Sequence, residues 1–274
     1  MFLHTSLQSQ LFKTQNVRFA LTHRFGGVSN GAFDALNLGY LVGDELENVA
    51  HNHQSVTIRF YDEFHIAEHR RKPLYYMEQI HSTQSIILNE NLESHLALES
   101  SLKGEDAIDK PHSICLGKAD AIITQLPLRI CLALVADCNP LLLYDTKNRA
   151  MAVIHAGRKG VFYGILPHTF MQMNTLYGTQ AQDCLLYVGA SIRSCCYEVG
   201  QEVYKELLAL GFGDRAMKGS KLDMLHCIYA QCENLGIKKE CIEVNPHCSC
   251  CNNELYSYRR EGVTGRFGLL AMLV

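Results

Sequence analysis

The chain has 274 residues, of which 47% are hydrophobic and 19% are charged, and its formal net charge is −3. It is long enough to bury a large core, as one α/β domain or as two smaller ones. A net charge this close to zero gives no indication of a nucleic-acid or membrane partner. No run approaches the roughly 20 apolar residues that span a bilayer, and the N-terminus does not resemble a secretory signal. We therefore expect a cytoplasmic protein, with no protein partner predicted.

Apolar runs predict strands along the whole chain, and three- and four-residue spacing predicts helices between them. The predicted strands are 17–22, 74–76, 85–88, 119–124, 130–135, 141–144, 151–154, 185–188, 241–244 and 269–274. The predicted helices are 47–61, 164–177, 201–210 and 221–235. Predicted strands outnumber predicted helices, and many strands that are adjacent in sequence are predicted to form hairpins. We therefore expect an α+β fold with mixed or antiparallel sheets. No repeat or linker interrupts the chain, so we expect a single domain over residues 1–274.

A glycine-rich loop, RFGGVSNG, occupies residues 24–31 after the first predicted strand. It lacks the glycine spacing of the dinucleotide-binding and P-loop fingerprints. Two interpretations stay open for it: a pair of tight turns, or a loop that contacts substrate.

The most informative segment is a predicted β-hairpin between Cys138 and His155. Its two apolar runs, 141–144 and 151–154, flank the turn-rich sequence DTKNR. A turn centred near Lys147 and Asn148 places Cys138 and His155 on opposite strands, within a residue or two of facing each other. A thiolate beside an imidazole is half of a zinc site or half of a Cys-His catalytic pair. Both interpretations favour an enzyme.

A third candidate metal ligand is His81, which stands at the edge of an apolar run. Catalytic zinc sites typically have three protein ligands and one position open to water or substrate. His81, Cys138 and His155 would supply two nitrogens and one sulfur. Asp137 is expected to orient a ligand histidine by a hydrogen bond. Since the chain has 13 histidines, a purely structural role is the alternative for each of them.

The chain has 12 cysteines, which should be reduced in the cytoplasm. Those that stand singly among apolar neighbours are typical of small buried hydrophobic residues: Cys115, Cys131, Cys184, Cys227, Cys232 and Cys241. The grouped ones are Cys195-Cys196 and those of residues 247–251. Neither group has the paired CxxC spacing of a structural zinc site, and adjacent cysteines rarely bind one tetrahedral ion. The sequence therefore does not favour a second metal site, and a metal site at His247 to Cys251 stays open as the less favoured alternative.

Several blocks of residues along the chain resemble one known family. In chain order they are THRFGGVS at 22–29, LNLG at 36–39, VGD at 42–44, QIH at 79–81, ADA at 119–121, ADC at 136–138, HAG at 155–157, CCYEVG at 195–200, SYRREG at 257–262 and TGR at 264–266. The set is similar to the laccase-domain purine nucleoside phosphorylases, formerly labelled multicopper polyphenol oxidases. The number and order of the blocks make the resemblance specific.

The resemblance implies an α/β/β/α layered sandwich and one Zn²⁺ per chain, bound by His81, Cys138 and His155. It implies phosphorolysis of purine nucleosides (adenosine, inosine and guanosine), with methylthioadenosine cleavage and adenosine deamination as companion activities. The partners are then purine nucleosides and phosphate. Water on zinc loses a proton near neutral pH, which gives a hydroxide able to attack C6 of adenine. Copper is less expected, because one His-Cys-His set cannot build the several copper sites of a laccase.

Phosphorolysis also requires that a phosphate be held against C1′ of the nucleoside. Arginine suits this task because its fork of donors matches phosphate oxygens. Arg24, Arg259 and Arg260 are the candidates, and Asn37 is a candidate to hydrogen-bond the nucleoside. The alternative for each of these residues is a structural ion pair or hydrogen bond.

Three positions depart from the family pattern. Arg158 follows HAG where the family commonly has Trp, and the chain contains no Trp, so the substrate preference is expected to differ. His53 stands where Arg is usual, which argues against a phosphate role there. Ala190 stands where Pro is usual, which predicts a local difference in that loop.

Three functional hypotheses follow. The leading one is a zinc-dependent phosphorylase and deaminase with Cys138, His155 and Asp137 as catalytic residues. The runner-up is a metal-free hydrolase or deamidase, with Cys138 as nucleophile and His155 as base. The third is a non-catalytic protein in which the metal only stabilises the fold. Four protein ligands would favour the third hypothesis, and an open coordination position would argue against it.

Overall fold

This computed structural model describes residues 1–102 and 112–274 of the chain. The strands are β1 Phe2–Thr5, β2 Val17–Thr22, β3 Leu74–Glu78, β4 Ser85–Leu88, β5 Ser113–Lys118, β6 Ala121–Thr124, β7 Ile130–Val135, β8 Asn139–Asp145, β9 Ala150–Ala156, β10 Cys184–Val188, β11 Met217–Lys218, β12 Lys221–Leu222, β13 Ile242–Val244 and β14 Phe267–Leu273. The helices are α1 Leu46–Glu63, α2 Glu90–Leu102, α3 Arg158–Phe162, α4 Ile165–Tyr177, α5 Gln201–Ala209, α6 Met224–Leu235 and α7 Tyr258–Glu261. No helix within these ranges is long and apolar enough to cross a membrane.

Two six-stranded sheets contain all strands except the short pair β11 and β12. The first sheet has the order β1-β2-β14-β7-β3-β5, antiparallel from β1 to β7 and parallel from β7 to β5. The second has the order β13-β10-β8-β9-β6-β4, antiparallel in its centre and parallel at both edges. Both sheets are therefore mixed, as predicted.

The strand β14 shows how the sheets are layered. Leu269 and Ala271 contribute to the core between the two sheets, whereas Leu270 and Met272 pack on the opposite face, in the core that α1 covers. Side chains of successive residues in a strand point to opposite faces. A strand covered on both faces therefore needs apolar residues at every position, which explains its unbroken hydrophobic sequence.

Helices cover the outer faces of both sheets. Val56, Phe60 and Tyr61 of α1 pack on the first sheet, and all three are fully buried. Helices α3 to α6 contribute buried residues, Val161 and Ile165 among them, to the core on the outer face of the second sheet. The result is an α+β fold with α/β/β/α layers, which confirms the predicted fold class.

The predicted hairpin is confirmed by the pairing of β8 with β9. Pro140 lies opposite His155 in this pairing, so Cys138, which directly precedes β8, is two positions from facing the histidine. The predicted helix 221–235 is wrong at its start, because residues 221 and 222 form strand β12. Helix α6 begins only after Asp223, whose side chain accepts a hydrogen bond from the His226 amide and caps the helix there.

Candidate metal centre and its cavity

The structure brings His81, Cys138 and His155 together. His81 lies in the loop after β3, Cys138 stands just before β8, and His155 lies near the end of β9. Their ligand atoms are all within 4.8 Å of one another, and Cys138 Sγ is 3.9 Å from His81 Nε2. The two imidazole rings meet edge to face, with their centroids 4.8 Å apart. Three candidate metal ligands, from three separate chain segments, thus converge on one point.

The fully buried carboxylate of Asp120 holds two of these ligands in place. Its Oδ1 accepts hydrogen bonds from His155 Nδ1, at 2.8 Å, and from the His81 amide, at 3.0 Å. Its Oδ2 accepts from the amide and the hydroxyl of Ser82, at 2.6 and 2.7 Å. A bond at Nδ1 leaves Nε2 of His155 for the metal. The carboxylate that holds the candidate ligand His155 is therefore that of Asp120, whereas the Asp137 carboxylate accepts from Ser249 and from the Arg259 amide.

The thiol of Cys138 and the imidazole of His155 favour each other's charged forms. Burial would raise the pKa of Cys138, but His155 and His81 outweigh it by their charge and hydrogen bonds and lower the pKa to about 6. Burial would lower the pKa of His155, but Cys138 and Asp120 raise it to about 9. A cysteine that readily becomes a thiolate suits both zinc binding and nucleophilic attack.

The space between the ligands depends on the missing side chain of Gly157. A Cβ atom there would lie 2.9 Å from His81 Cδ2 and 3.2 Å from Cys138 Sγ. In a tetrahedral zinc site, a nitrogen ligand and a sulfur ligand are about 3.6 Å apart, close to the 3.9 Å between Cys138 Sγ and His81 Nε2. The donor types, their spacing and the glycine beside them fit a zinc ion with three protein ligands.

A cavity of about 620 Å³ opens beside this centre, and all three candidate ligands line it. Its volume lies within the range of about 300 to 1,000 Å³ that is typical of small-molecule sites. Four tyrosines, Tyr40, Tyr76, Tyr197 and Tyr258, also line it. The rings of Tyr40 and Tyr76 stack on each other, with centroids 5.5 Å apart. The cavity thus offers aromatic surface next to a metal-binding group.

Three arginines line the cavity: Arg158, Arg259 and Arg266. Arg158 is paired with Glu206 at 2.6 Å. Arg259 Nη1 donates to the Glu198 carbonyl at 2.9 Å, and Arg266 donates to two backbone carbonyls. Within the described residues, neither of these two guanidinium groups forms an ion pair with a carboxylate, although the Asp137 carboxylate lines the same cavity and acts on Arg266 by its charge. The cavity therefore contains two arginines without a direct carboxylate partner.

The candidate residues Arg24 and Arg260 do not line the cavity. Both bind Glu261, Arg24 at 2.6 Å and Arg260 at 3.0 Å. Arg24 lies over the ring of Tyr256, and Arg260 donates to four backbone carbonyls in residues 249–255. The two arginines therefore hold helix α7, which carries Arg259, against the neighbouring loops.

Because Glu261 is the common partner of these arginines, we expect it to stabilise the fold in a pH-dependent way. Burial would raise its pKa, but bonds from Thr264, Arg260 and Arg24 outweigh burial and lower the pKa from 4.5 to about 2. Its contribution is therefore present above about pH 4.5 and disappears as the pH falls toward 2. Unfolding in urea should show Glu261→Gln to be less stable than the wild type at about pH 7, with a smaller difference at about pH 3.

The matched control for this measurement is Glu47→Gln, which changes an exposed glutamate on α1. Because Glu47 lies in the first turn of α1, its loss should lower the free energy of unfolding by no more than about 1 kcal/mol at about pH 7, less than the loss of Glu261. A Glu261→Gln difference that stays constant or grows in acid would contradict the assigned role of Glu261.

Asn37 and Asp137 lie next to cavity arginines and hold their backbones. Asn37 is buried, and its Oδ1 accepts from the Arg266 amide at 2.8 Å. Asp137 lines the cavity, and its Oδ2 accepts from the Arg259 amide at 2.7 Å. Asp137 Oδ1 accepts from the Ser249 hydroxyl at 2.6 Å. These two residues therefore fix the chain at both unpaired arginines.

The remaining features that the sequence singled out do not line the cavity. His53 is fully buried, and its Nε2 lies at hydrogen-bond distance from the Leu38 carbonyl. Burial lowers its pKa to about 4. The imidazole is therefore neutral and unsuited to binding phosphate. The glycine-rich loop 24–31 contributes no lining residue to the cavity. The side chain of Asn52 binds it at Val28 and Ser29, which supports the interpretation as a pair of turns. Ala190 is fully buried.

Comparison with known proteins identifies a matching family model and relatives that are similar over most of the chain. The family model described as multi-copper polyphenol oxidoreductase laccase matches residues 18–274. A protein of Corynebacterium glutamicum named purine nucleoside phosphorylase is 32% identical over 257 residues, which cover 93% of each chain. A protein of Mycobacterium tuberculosis with the same name is 30% identical over 261 residues, covering 94% of this chain and 92% of the relative.

Solved structures match the layered architecture. A protein of Neisseria meningitidis superposes with a TM-score of 0.74 over 94% of each chain, at 28% identity. The Bacillus licheniformis protein YfiH superposes with a TM-score of 0.80 over 98% of each chain, at 24% identity. The second likeness concerns the fold alone.

Proposed function

Since the chain belongs to the multi-copper polyphenol oxidoreductase laccase family, and relatives matching over nine-tenths of it are named purine nucleoside phosphorylase, we propose that it is a zinc-dependent purine nucleoside phosphorylase. One observation carries the proposal: a three-ligand metal-binding group opens into a cavity that also contains two unpaired arginines and four tyrosines. The proposed substrates are phosphate and adenosine, inosine, guanosine or methylthioadenosine. The whole chain, 1–274, is proposed to form this single domain.

We propose one Zn²⁺ per chain at His81, Cys138 and His155. Two imidazoles and a thiolate are ligands that zinc prefers, and three protein ligands leave a coordination position for substrate or water. Laccase chemistry needs several copper ions. Within the described residues, the only other group of potential metal ligands consists of cysteines, without histidine, so the donor set argues against a multi-copper centre.

The cavity side chains divide the remaining tasks of phosphorolysis. Arg259 and Arg266 are proposed to hold the phosphate, because a forked guanidinium matches phosphate oxygens and their charges have no carboxylate partner. The tyrosine rings offer surfaces on which a purine base can stack. Asp137 and Asn37 act as positioning residues, since they hold the backbones of Arg259 and Arg266.

Adenosine deamination is the proposed companion activity at the same centre. When bound, zinc would supply Lewis-acid chemistry and lower the pKa of a nearby water toward about 7. Asp120 fixes the orientation of His155, so that its Nε2 points toward the other ligands. A reducing, cytoplasmic location is proposed because the centre needs a free thiol, and all 12 cysteines are free in the structure.

The test uses the full-length protein purified with its zinc. We expect hypoxanthine to be released from inosine only when phosphate is present, and ribose 1-phosphate to form in equal amount. Adenosine should give inosine without phosphate. Zinc-loaded protein that leaves both nucleosides unchanged would contradict the proposal.

A metal-free Cys-His hydrolase or deamidase is the second candidate, because the pKa of Cys138 is lowered to about 6 beside His155. The two candidates differ in what zinc does to Cys138. If Cys138 is a zinc ligand, bound zinc should protect it from alkylation, and removal of the metal should abolish activity. If it is a nucleophile, the protein without metal should be active and alkylation should inactivate it.

A further inference from the structure

Four cysteines form a second cluster, outside the cavity and its metal centre. The sulfur atoms of Cys195, Cys196, Cys248 and Cys251 all lie within 4.8 Å of one another. Cys251 Sγ is 3.6 Å from Cys195 Sγ and 3.3 Å from Cys196 Sγ. The sequence did not predict this cluster, because it contains only one Cys-x-x-Cys pair, Cys248 and Cys251, and not the two pairs of a structural zinc site. The fold brings the adjacent Cys195 and Cys196 to that pair, so that both of these adjacent thiols lie in one group.

Backbone and side-chain bonds hold the two cysteine-bearing loops together. The Ser249 amide donates to the Ser191 carbonyl at 3.0 Å, and the Arg193 amide donates to Cys248 Sγ at 3.4 Å. The Arg193 guanidinium reaches across to the Asn245 carbonyl at 2.7 Å. The thiols therefore converge between segments that are already fixed, which is the pre-organisation that a structural metal site needs.

We propose that Cys195, Cys196, Cys248 and Cys251 bind a structural Zn²⁺ ion. Sulfur ligands around tetrahedral zinc are about 3.8 Å apart, close to the distances between these thiols. A disulfide bond would need about 2.05 Å between two sulfurs and would leave the other two thiols unused. Four thiolates around one ion form a closed site, which is typical of structural rather than catalytic zinc.

Four thiolates bound to one zinc ion carry a net negative charge, which nearby cationic side chains would stabilise. Lys221 Nζ donates to the Cys195 carbonyl at 2.6 Å. Lys218 Nζ donates to the Ser194 hydroxyl at 3.3 Å, although it also pairs with Asp223 at 3.0 Å. The Arg193 guanidinium lies in the same loop. Tetrahedral sulfur sites select zinc or iron, and measurement of the metal content distinguishes the two.

The ion would stabilise one wall of the cavity. Cys196 is followed by the cavity residue Tyr197, and Ser249, between Cys248 and Cys251, donates to Asp137. By linking the two loops, this zinc would fix Tyr197 and Asp137 without contacting substrate. The proposal is independent of the catalytic zinc, because none of its four ligands belongs to the first centre.

The experiment measures metal content and zinc K-edge X-ray absorption of Cys138→Ser protein purified under reducing conditions. This variant removes a ligand of the first centre and isolates the second. We expect one zinc per chain, with four sulfur neighbours at about 2.3 Å. Adding Cys195→Ser, a change at an exposed residue, should remove most of that zinc.

The matched control adds Cys250→Ser instead, because Cys250 lies between two proposed ligands in sequence and contacts Cys196 but is not one of the four mutually close thiols. That protein should keep its zinc. Cys138→Ser protein without zinc, with iron in its place, or with zinc that survives Cys195→Ser would overturn the proposal. The result is different if only the His-Cys-His centre fails to bind zinc. Wild type and Cys138→Ser would then both contain one zinc with four sulfur neighbours.

Discussion

Asp120→Asn is expected to lower the zinc affinity of the His-Cys-His centre by about 10- to 100-fold, the usual effect of losing a carboxylate that holds a metal-binding histidine. Asp120 accepts four hydrogen bonds, from His155, from the His81 amide and twice from Ser82. An amide has the same shape but no negative charge, and its NH₂ group would face donors. Both ligand histidines should therefore lose their fixed orientation. Zinc affinity is measured by competition with a chelator, and activity by phosphorolysis of inosine.

The matched control for that prediction is Asp145→Asn. Asp145 is also fully buried, and it accepts bonds from Lys147 and Asn148 in the turn between β8 and β9. Its loss should lower the free energy of unfolding as Asp120→Asn does, but leave zinc affinity unchanged. If folded Asp120→Asn protein binds zinc as tightly as folded Asp145→Asn protein, Asp120 does not position the ligands.

The sequence was sufficient for the parts of the site that are local in the chain. Cys138 and His155 are joined by a short hairpin, so a turn position and a strand period of two residues almost fix their relative position. The residues that contact the hairpin from distant parts of the chain could not be predicted in this way. Asp120 directly precedes β6, and it meets His155 because β6 pairs with β9. Its block, ADA, was recognised, but no local pattern assigns its carboxylate to a histidine.

The four-cysteine cluster shows the same limit more clearly. Its two halves follow β10 and β13, which are adjacent and parallel, with Val188 opposite Val244. Parallel strands end at the same edge of a sheet, so the loops that follow them meet. Without this pairing, Cys195-Cys196 and Cys248 appear to be unrelated groups. Elements such as α3 and α7 were missed because helices this short give too few turns for a periodic pattern.

The roles of the arginines also depend on contacts between residues that are far apart in the chain. Arg24, Arg259 and Arg260 are equally suited to phosphate by residue type, and only the fold shows that Glu261 binds two of them. Arg266 belongs to the TGR block, but its residue type alone assigns it no role. What separates these arginines is whether a carboxylate already neutralises the guanidinium, and that is decided by tertiary structure.

Arg259→Ala is expected to raise the KM for phosphate by about 10- to 100-fold, because hydrogen bonds to a charged group are worth about 1.5 to 3 kcal/mol. The Arg259 side chain lines the cavity, and its described bond is to the Glu198 carbonyl. Its amide, which binds Asp137, is retained in the variant. Zinc content and the KM for inosine should therefore change little.

Arg158→Ala is the control, because Arg158 lines the same cavity but is paired with Glu206 at 2.6 Å. A guanidinium already bound to a carboxylate has less attraction left for phosphate, so the KM for phosphate should rise by less than about threefold. Arg158 occupies the position where the family commonly has Trp, so this variant also shows whether the departure affects the nucleoside. Equal changes in the phosphate KM of the two variants would mean that position in the cavity, and not unpaired charge, governs phosphate binding. The assignment of phosphate to Arg259 would then fail.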